Sequence, residues 1–111
     1  MKHLTIVVPN GQNNLSSITG SYEILTRANE YWKQKGNKDI FKIELAGVSK
    51  KVDFNNGLFE VKPHTQISEI QKTNLIIIPS LNHNYTQTVQ ENKVLINWLE
   101  EQYKKGAEIA S

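Results

Sequence analysis

Leu75-Ile76-Ile77-Ile78-Pro79 is the stretch on which the fold turns. Four consecutive aliphatic residues leave no polar face, and proline stops the run. A strand with that pattern is covered on both sides, as in the middle of a parallel sheet. On its C-terminal side, Val94, Leu95, Trp98, Leu99 and Tyr103 recur at helical spacing, and Glu100/Lys104 and Glu101/Lys105 form i,i+4 pairs in the favourable order. Gly106 ends that helix, and Ala107-Glu108-Ile109-Ala110 starts another strand.

The N-terminal side reads in the same way. Leu4-Thr5-Ile6-Val7-Val8, closed by Pro9-Asn10-Gly11, is a buried strand ending in a turn. A polar loop over Gln12–Ser17 leads into a helix whose stripe is Tyr22, Leu25, Ala28 and Trp32, widened by Ile24 and Tyr31. Lys33, Lys35 and Gly36 suit its C-terminus. Ile40, Phe41, Ile43, Leu45 and Val48 mark a second strand that closes near Gly47. Val52-Asp53-Phe54 and Leu58-Phe59-Glu60-Val61 flank Asn55-Asn56-Gly57, a hairpin turn signal. Ile67 and Ile70 suggest a short helix after Pro63. Alternating strands and helices predict an α/β fold: a flavodoxin-like open parallel sheet with helices on both faces and a small β-hairpin. The chain stops at Ser111, after a strand with no following helix, so the sheet is expected to be truncated on its C-terminal side.

The 111 residues suffice for one domain. Thirteen Lys and Arg against 11 Asp and Glu give a net charge of +2, interspersed and with Arg27 the only arginine. That leaves little with which this segment could read DNA by itself. No apolar run approaches a membrane span, the stretch Leu4–Val8 is too short for a signal peptide, and mean hydropathy is -0.50, so a soluble cytoplasmic domain is expected. With no cysteine, disulfides and a thiol nucleophile are excluded within these residues. His3, His64 and His83 lack metal-ligand spacing, and no glycine-rich phosphate loop is present, so neither metal nor cofactor is expected.

Open α/β sheets bind ligands beyond the carboxyl ends of their strands. That rule brings together Asn10 and Asn13, then Ser80, Asn82, His83 and Asn84, then Ser111. They read as a polar pocket for a small ligand, or as ordinary turn residues. His83 could serve as acid/base or as a ligand's hydrogen-bond partner, or be a solvated loop histidine. Glu23 could point an acid into the crevice, or simply complement the positive end of the helix dipole.

Gly20-Ser21-Tyr22-Glu23-Ile24-Leu25-Thr26-Arg27-Ala28-Asn29 resembles the first-helix pattern of ThiJ/PfpI-type domains. The opening strand before Pro9, Leu75–Pro79, and the segment Leu95 to Ser111 fit the same family. More narrowly, the chain is similar to the class I glutamine-amidotransferase-like domains at the N-terminus of AraC-type transcriptional regulators. The resemblance covers essentially all 111 residues, as the N-terminal part of such a domain. It implies a nucleophilic cysteine shortly after Ser111, an acidic residue before the first helix where this chain has Ser17, and a Pro-Gly-Gly resembling an oxyanion hole where it has Pro79-Ser80-Leu81. A hydroxyl cannot share a proton with a thiol as a carboxylic acid would. The resemblance therefore implies a homodimeric sensor of a small-molecule effector, with Asn10, Ser17, Glu23, Ser80, Asn82 and His83 as ligand-binding candidates and DNA bound only through a C-terminal helix-turn-helix domain. Its alternative is a cysteine-dependent hydrolase or glyoxalase-like enzyme.

Overall fold

The structure, a computed structural model, describes residues 1–11, 14–38, 40–81 and 85–111. The chain runs β1 (Lys2–Val8), α1 (Leu15–Gln34), β2 (Phe41–Gly47), β3 (Val52–Phe54), β4 (Phe59–Val61), β5 (Thr65–Gln66), a 3-10 turn (Ile67–Glu69), β6 (Leu75–Ile77), α2 (Tyr85–Glu91), α3 (Lys93–Lys104) and β7 (Glu108–Ala110). Five strands form one sheet in the order β5-β2-β1-β6-β7, and every pairing in it is parallel. The middle place belongs to β1 rather than to the Leu75–Ile78 run. Ile78 lies beyond β6, yet its N–H still donates to the Ala110 carbonyl at 2.8 Å and prolongs the ladder. β3 and β4 pair antiparallel as a separate hairpin.

Alternation along β1 builds a core on each side of the sheet. Leu4, Ile6 and Val8 join Leu45, Ile18 of α1, and Val52 and Phe54 of the hairpin. Val7 points the other way and joins Ala46, Ile76, Ala107, Ile67, Ile70, and Leu95 and Trp98 of α3. The helices do cover both faces.

Their registers differ from the sequence expectation. α1 begins at Leu15, inside the stretch read as loop, because the Asn14 side chain accepts the Ser16 N–H at 3.0 Å and caps the helix. The face it buries is Leu15, Ile18, Tyr22 and Leu25. Asn29 continues this stripe, accepting the Ile40 and Phe41 N–H groups at 3.2 Å each and donating to the Phe41 carbonyl at 2.8 Å. Ile24 is 70% exposed and Tyr31 60%, so neither widens the buried stripe. On α3, Val94 and Tyr103 are likewise exposed, at 61% and 68%. The buried residues there are Leu95, Trp98 and Gln102. α2 escaped the sequence reading because Tyr-Thr-Gln-Thr-Val-Gln-Glu carries no apolar periodicity. The helix expected after Pro63 is the single 3-10 turn.

Gln102 takes a core position because it closes a polar network at the amino ends of the strands. Its carboxamide accepts the Thr73 N–H at 3.2 Å and donates to the Gln71 carbonyl at 3.0 Å. Buried Thr5 donates to the Thr73 hydroxyl at 2.9 Å, which donates to the His3 carbonyl at 3.1 Å. The His3 ring bridges the Thr73 hydroxyl at 2.7 Å and the Glu44 carboxylate at 2.6 Å. Every buried polar side chain in this group has a partner, as burial demands.

Candidate functional site

The opposite end of the sheet carries the cleft. A cavity of about 540 Å³ opens beyond the carboxyl ends of β6 and β7, against the first two turns of α1. That volume falls within the ~300–1,000 Å³ usual for small-ligand pockets. Ile77, Ile78, Pro79, Leu81 and Ala110 give it an apolar floor, and four serines, Ser17, Ser21, Ser80 and Ser111, supply hydroxyls. No Asp, Glu, Lys, Arg or His side chain lines it among the described residues.

α1 and the turn after β6 hold each other in place here. The Ser80 N–H donates to the Ser17 hydroxyl oxygen at 2.8 Å, and the Asn14 N–H donates to the Ser80 carbonyl at 3.1 Å. Ser21, one turn on, donates to the Ser17 carbonyl at 2.7 Å. Ser17 therefore lies in the first turn of α1 and presents its oxygen to the backbone of the Pro79-Ser80-Leu81 segment. A backbone donor at that segment would serve an oxyanion only if it faced the cleft. In this arrangement the Ser80 N–H is already occupied.

Asn10 stands at the end of the neighbouring strand and is pinned on three sides. Its N–H donates to Asn92 Oδ1 at 2.8 Å, and its carbonyl accepts from Asn92 Nδ2 at 2.9 Å. Its own side-chain oxygen accepts the Ser49 hydroxyl at 2.8 Å. Asn92 is buried between α2 and α3 and also donates to the Thr88 carbonyl at 2.9 Å. Asn10 thus shapes the loop beside the cleft without lining it.

Of the six ligand-binding candidates, Ser17 and Ser80 line the cleft together. Glu23 lies in the third turn of α1, exposed and away from the cleft lining. The first turn of α1 holds no acid, so the helix-dipole explanation of Glu23 fails as well. Asn82 and His83 fall outside the described residues, as do Asn13 and Asn84. Sequence reasoning missed Ser21 and Asn92. Ser21 follows Ser17 at helical spacing and becomes visible once the helix is started at Asn14. Asn92 carries no local signal, since its partner Asn10 is far away in the chain. No group of three or more His, Asp or Glu side chains is placed to hold a metal ion among the described residues. Nor is any helix among them long and apolar enough to cross a membrane.

Several solved structures share this architecture. A protein assigned as a transcriptional regulator in Vibrio parahaemolyticus superposes with a TM-score of 0.77 at 25% identity, over 97% of this chain and 54% of its own. Oxidized DJ-1 of Toxoplasma gondii superposes with a TM-score of 0.71 at 17% identity, over 98% of this chain and 54% of its own. The chain has the ThiJ/PfpI-type fold. An AraC family transcriptional regulator from Pseudomonas putida matches the same ThiJ/PfpI-type unit with a TM-score of 0.68 at 14% identity, over 98% of this chain and 54% of its own. The chain thus spans about half the length of each of these three. No family model matches it, and no curated protein does.

Proposed function

We propose that this ThiJ/PfpI-type unit is the ligand-sensing and dimerisation domain of an AraC-type transcriptional regulator, and that it binds its effector without turning it over. The carrying observation is the hydrogen bond from the Ser80 N–H to the Ser17 hydroxyl. At the two positions that the family resemblance makes catalytic, this chain has a hydroxyl instead of an acid and a backbone donor already engaged. What is left is a cleft with an apolar floor and several hydroxyls. Such a lining favours an uncharged polar effector, because an ion seated there would lose its hydration without gaining a counter-charge from the described residues. Likeness to regulators from Vibrio parahaemolyticus and Pseudomonas putida supports the same reading.

Sensing then follows from differential affinity. An effector seated between α1 and the turn after β6 binds one arrangement of the dimer better than the other and shifts the population toward it. DNA is contacted by a helix-turn-helix domain elsewhere in the full-length protein. The competing reading, a cysteine-dependent hydrolase, draws on the DJ-1 likeness. It would need the Ser80 N–H to turn from Ser17 toward a reacting carbonyl.

A thermal-shift screen of the full-length protein against neutral sugars, polyols and amides tests the cleft. A binder present at 100 times its Kd stabilises the native state by about 2.7 kcal/mol. Ser21→Tyr, which fills the cleft from α1, should abolish that stabilisation. Equal stabilisation of wild type and Ser21→Tyr by the same compound would remove the cleft as the binding site.

A further inference from the structure

The sequence contains two Asn-Gly steps, Asn10-Gly11 and Asn56-Gly57, and the fold treats them oppositely. We propose that Asn56 is a site of spontaneous deamidation and isoaspartate formation, whereas Asn10 is protected by its setting.

The chemistry needs the main-chain nitrogen of the following residue to reach the asparagine side-chain carbon, and glycine offers no side chain to obstruct it. The Gly57 nitrogen attacks Asn56 Cγ, forming a C–N bond and a five-membered imide. The bond from Cγ to the side-chain nitrogen breaks, and that nitrogen leaves as ammonia, carrying the proton lost by the Gly57 nitrogen. Water then opens the ring at either carbonyl. One product is aspartate. The other is isoaspartate, whose main chain runs through the former side chain and is one methylene longer.

Structure decides which step can do this. Asn56 and Gly57 are exposed in the turn between β3 and β4, with φ of 56° and 83°. The hairpin is held by only three residue pairs, Val52↔Val61, Asp53↔Glu60 and Phe54↔Phe59. No heavy atom outside its immediate chain neighbours lies within 4 Å of where a Gly57 Cβ would stand. The turn can therefore open locally at little free-energy expense. Gly11 shares the exposure and the positive φ of Gly57, at 88°, but Asn10 is held in place. Its N–H, carbonyl and side-chain oxygen are all engaged by Asn92 and Ser49. The Glu91 carboxylate also crowds Gly11 so closely that a Cβ there would collide with it. Forming the imide at Asn10 requires breaking these bonds first, which slows it by about tenfold or more.

The conversion takes the net charge from +2 to +1. In the isoaspartyl form it also lengthens a turn whose strands are anchored in the core through Val52 and Phe54. The test is incubation of the full-length protein at mildly alkaline pH and physiological temperature, followed by peptide mapping. A synthetic peptide of residues 53–60 serves as the unstructured reference. Expected is a one-dalton gain at the Asn56 peptide, resolved into two isomers, at least about ten times faster than any gain at the Asn10 peptide. Asn56→Asp should show no gain in that region. Equal rates at the two steps, faster conversion at Asn10, or an unchanged Asn56 after the reference peptide has converted would each overturn the assignment.

Discussion

Ile6→Ala should lower the stability of this domain by about 2–5 kcal/mol, the range for removing a fully buried isoleucine side chain. Ile6 lies on the middle strand, has no exposed surface, and sits between Leu45, Ile18 and Ile77 on the α1 face. Its backbone pairs with Leu45 on one side and Ile77 on the other, so the surrounding strands cannot close the cavity. Ile6→Val should cost only about 0.5–1.5 kcal/mol, because it deletes a single methylene. Against a typical total of about 5–15 kcal/mol, alanine is enough to populate the unfolded state measurably. Urea melts with an unchanged m-value would report this. If Ile6→Ala melts within error of wild type, the placement of β1 at the centre of the sheet is wrong.

Asn92→Ala should be nearly as severe, at about 2–4 kcal/mol, since it removes three hydrogen bonds to part-buried backbone groups at about 0.5–1.5 kcal/mol each. Asn92 is 2% exposed, and its side chain bonds to the Asn10 N–H, the Asn10 carbonyl and the Thr88 carbonyl. Asn92→Asp makes the sharper test. The carboxylate can still accept from the Asn10 N–H, but its second oxygen faces two carbonyl oxygens where an NH2 stood. It should therefore be at least as destabilising as alanine near neutral pH. The Asn10 amide should also lose its hydrogen-exchange protection in Asn92→Ala. A fully stable Asn92→Asp would mean that the side chain is not held between these carbonyls.

These two residues mark how far the sequence could be read. Ile6 belongs to an aliphatic run whose meaning is local, so β1, β2, β6, β7 and the hairpin were legible, whereas β5 was not, because Thr65 and Gln66 form no apolar run. The start of α1 was not, because Ser16 and Ser17 look like loop residues until Asn14 is recognised as a cap. The same polarity that disguised the helix supplies the hydroxyls of the cleft. Gln102 and Asn92 were illegible for a different reason. Each is polar and buried because of partners far away in the chain, Thr73 and Gln71 for one and Asn10 for the other. Likewise, α3 buries Gln102 in place of Tyr103 because the network at the amino ends of the strands needs a carboxamide. Of the candidate site, Ser17 and Ser80 followed from the rule about strand ends together with the family resemblance. Their mutual hydrogen bond did not, since it depends on where the helix begins.

In the proposed function, the cleft between α1 and the turn after β6 senses a ligand and does not transform it. This function is tested most directly by adding a cleft-binding compound to the full-length protein, measuring operator-DNA affinity, and recovering the compound afterwards. Sensing predicts a shift in DNA affinity of roughly 5–150-fold, the usual span of allosteric coupling, with the compound recovered intact. Steady conversion of the compound with DNA affinity unchanged would contradict it.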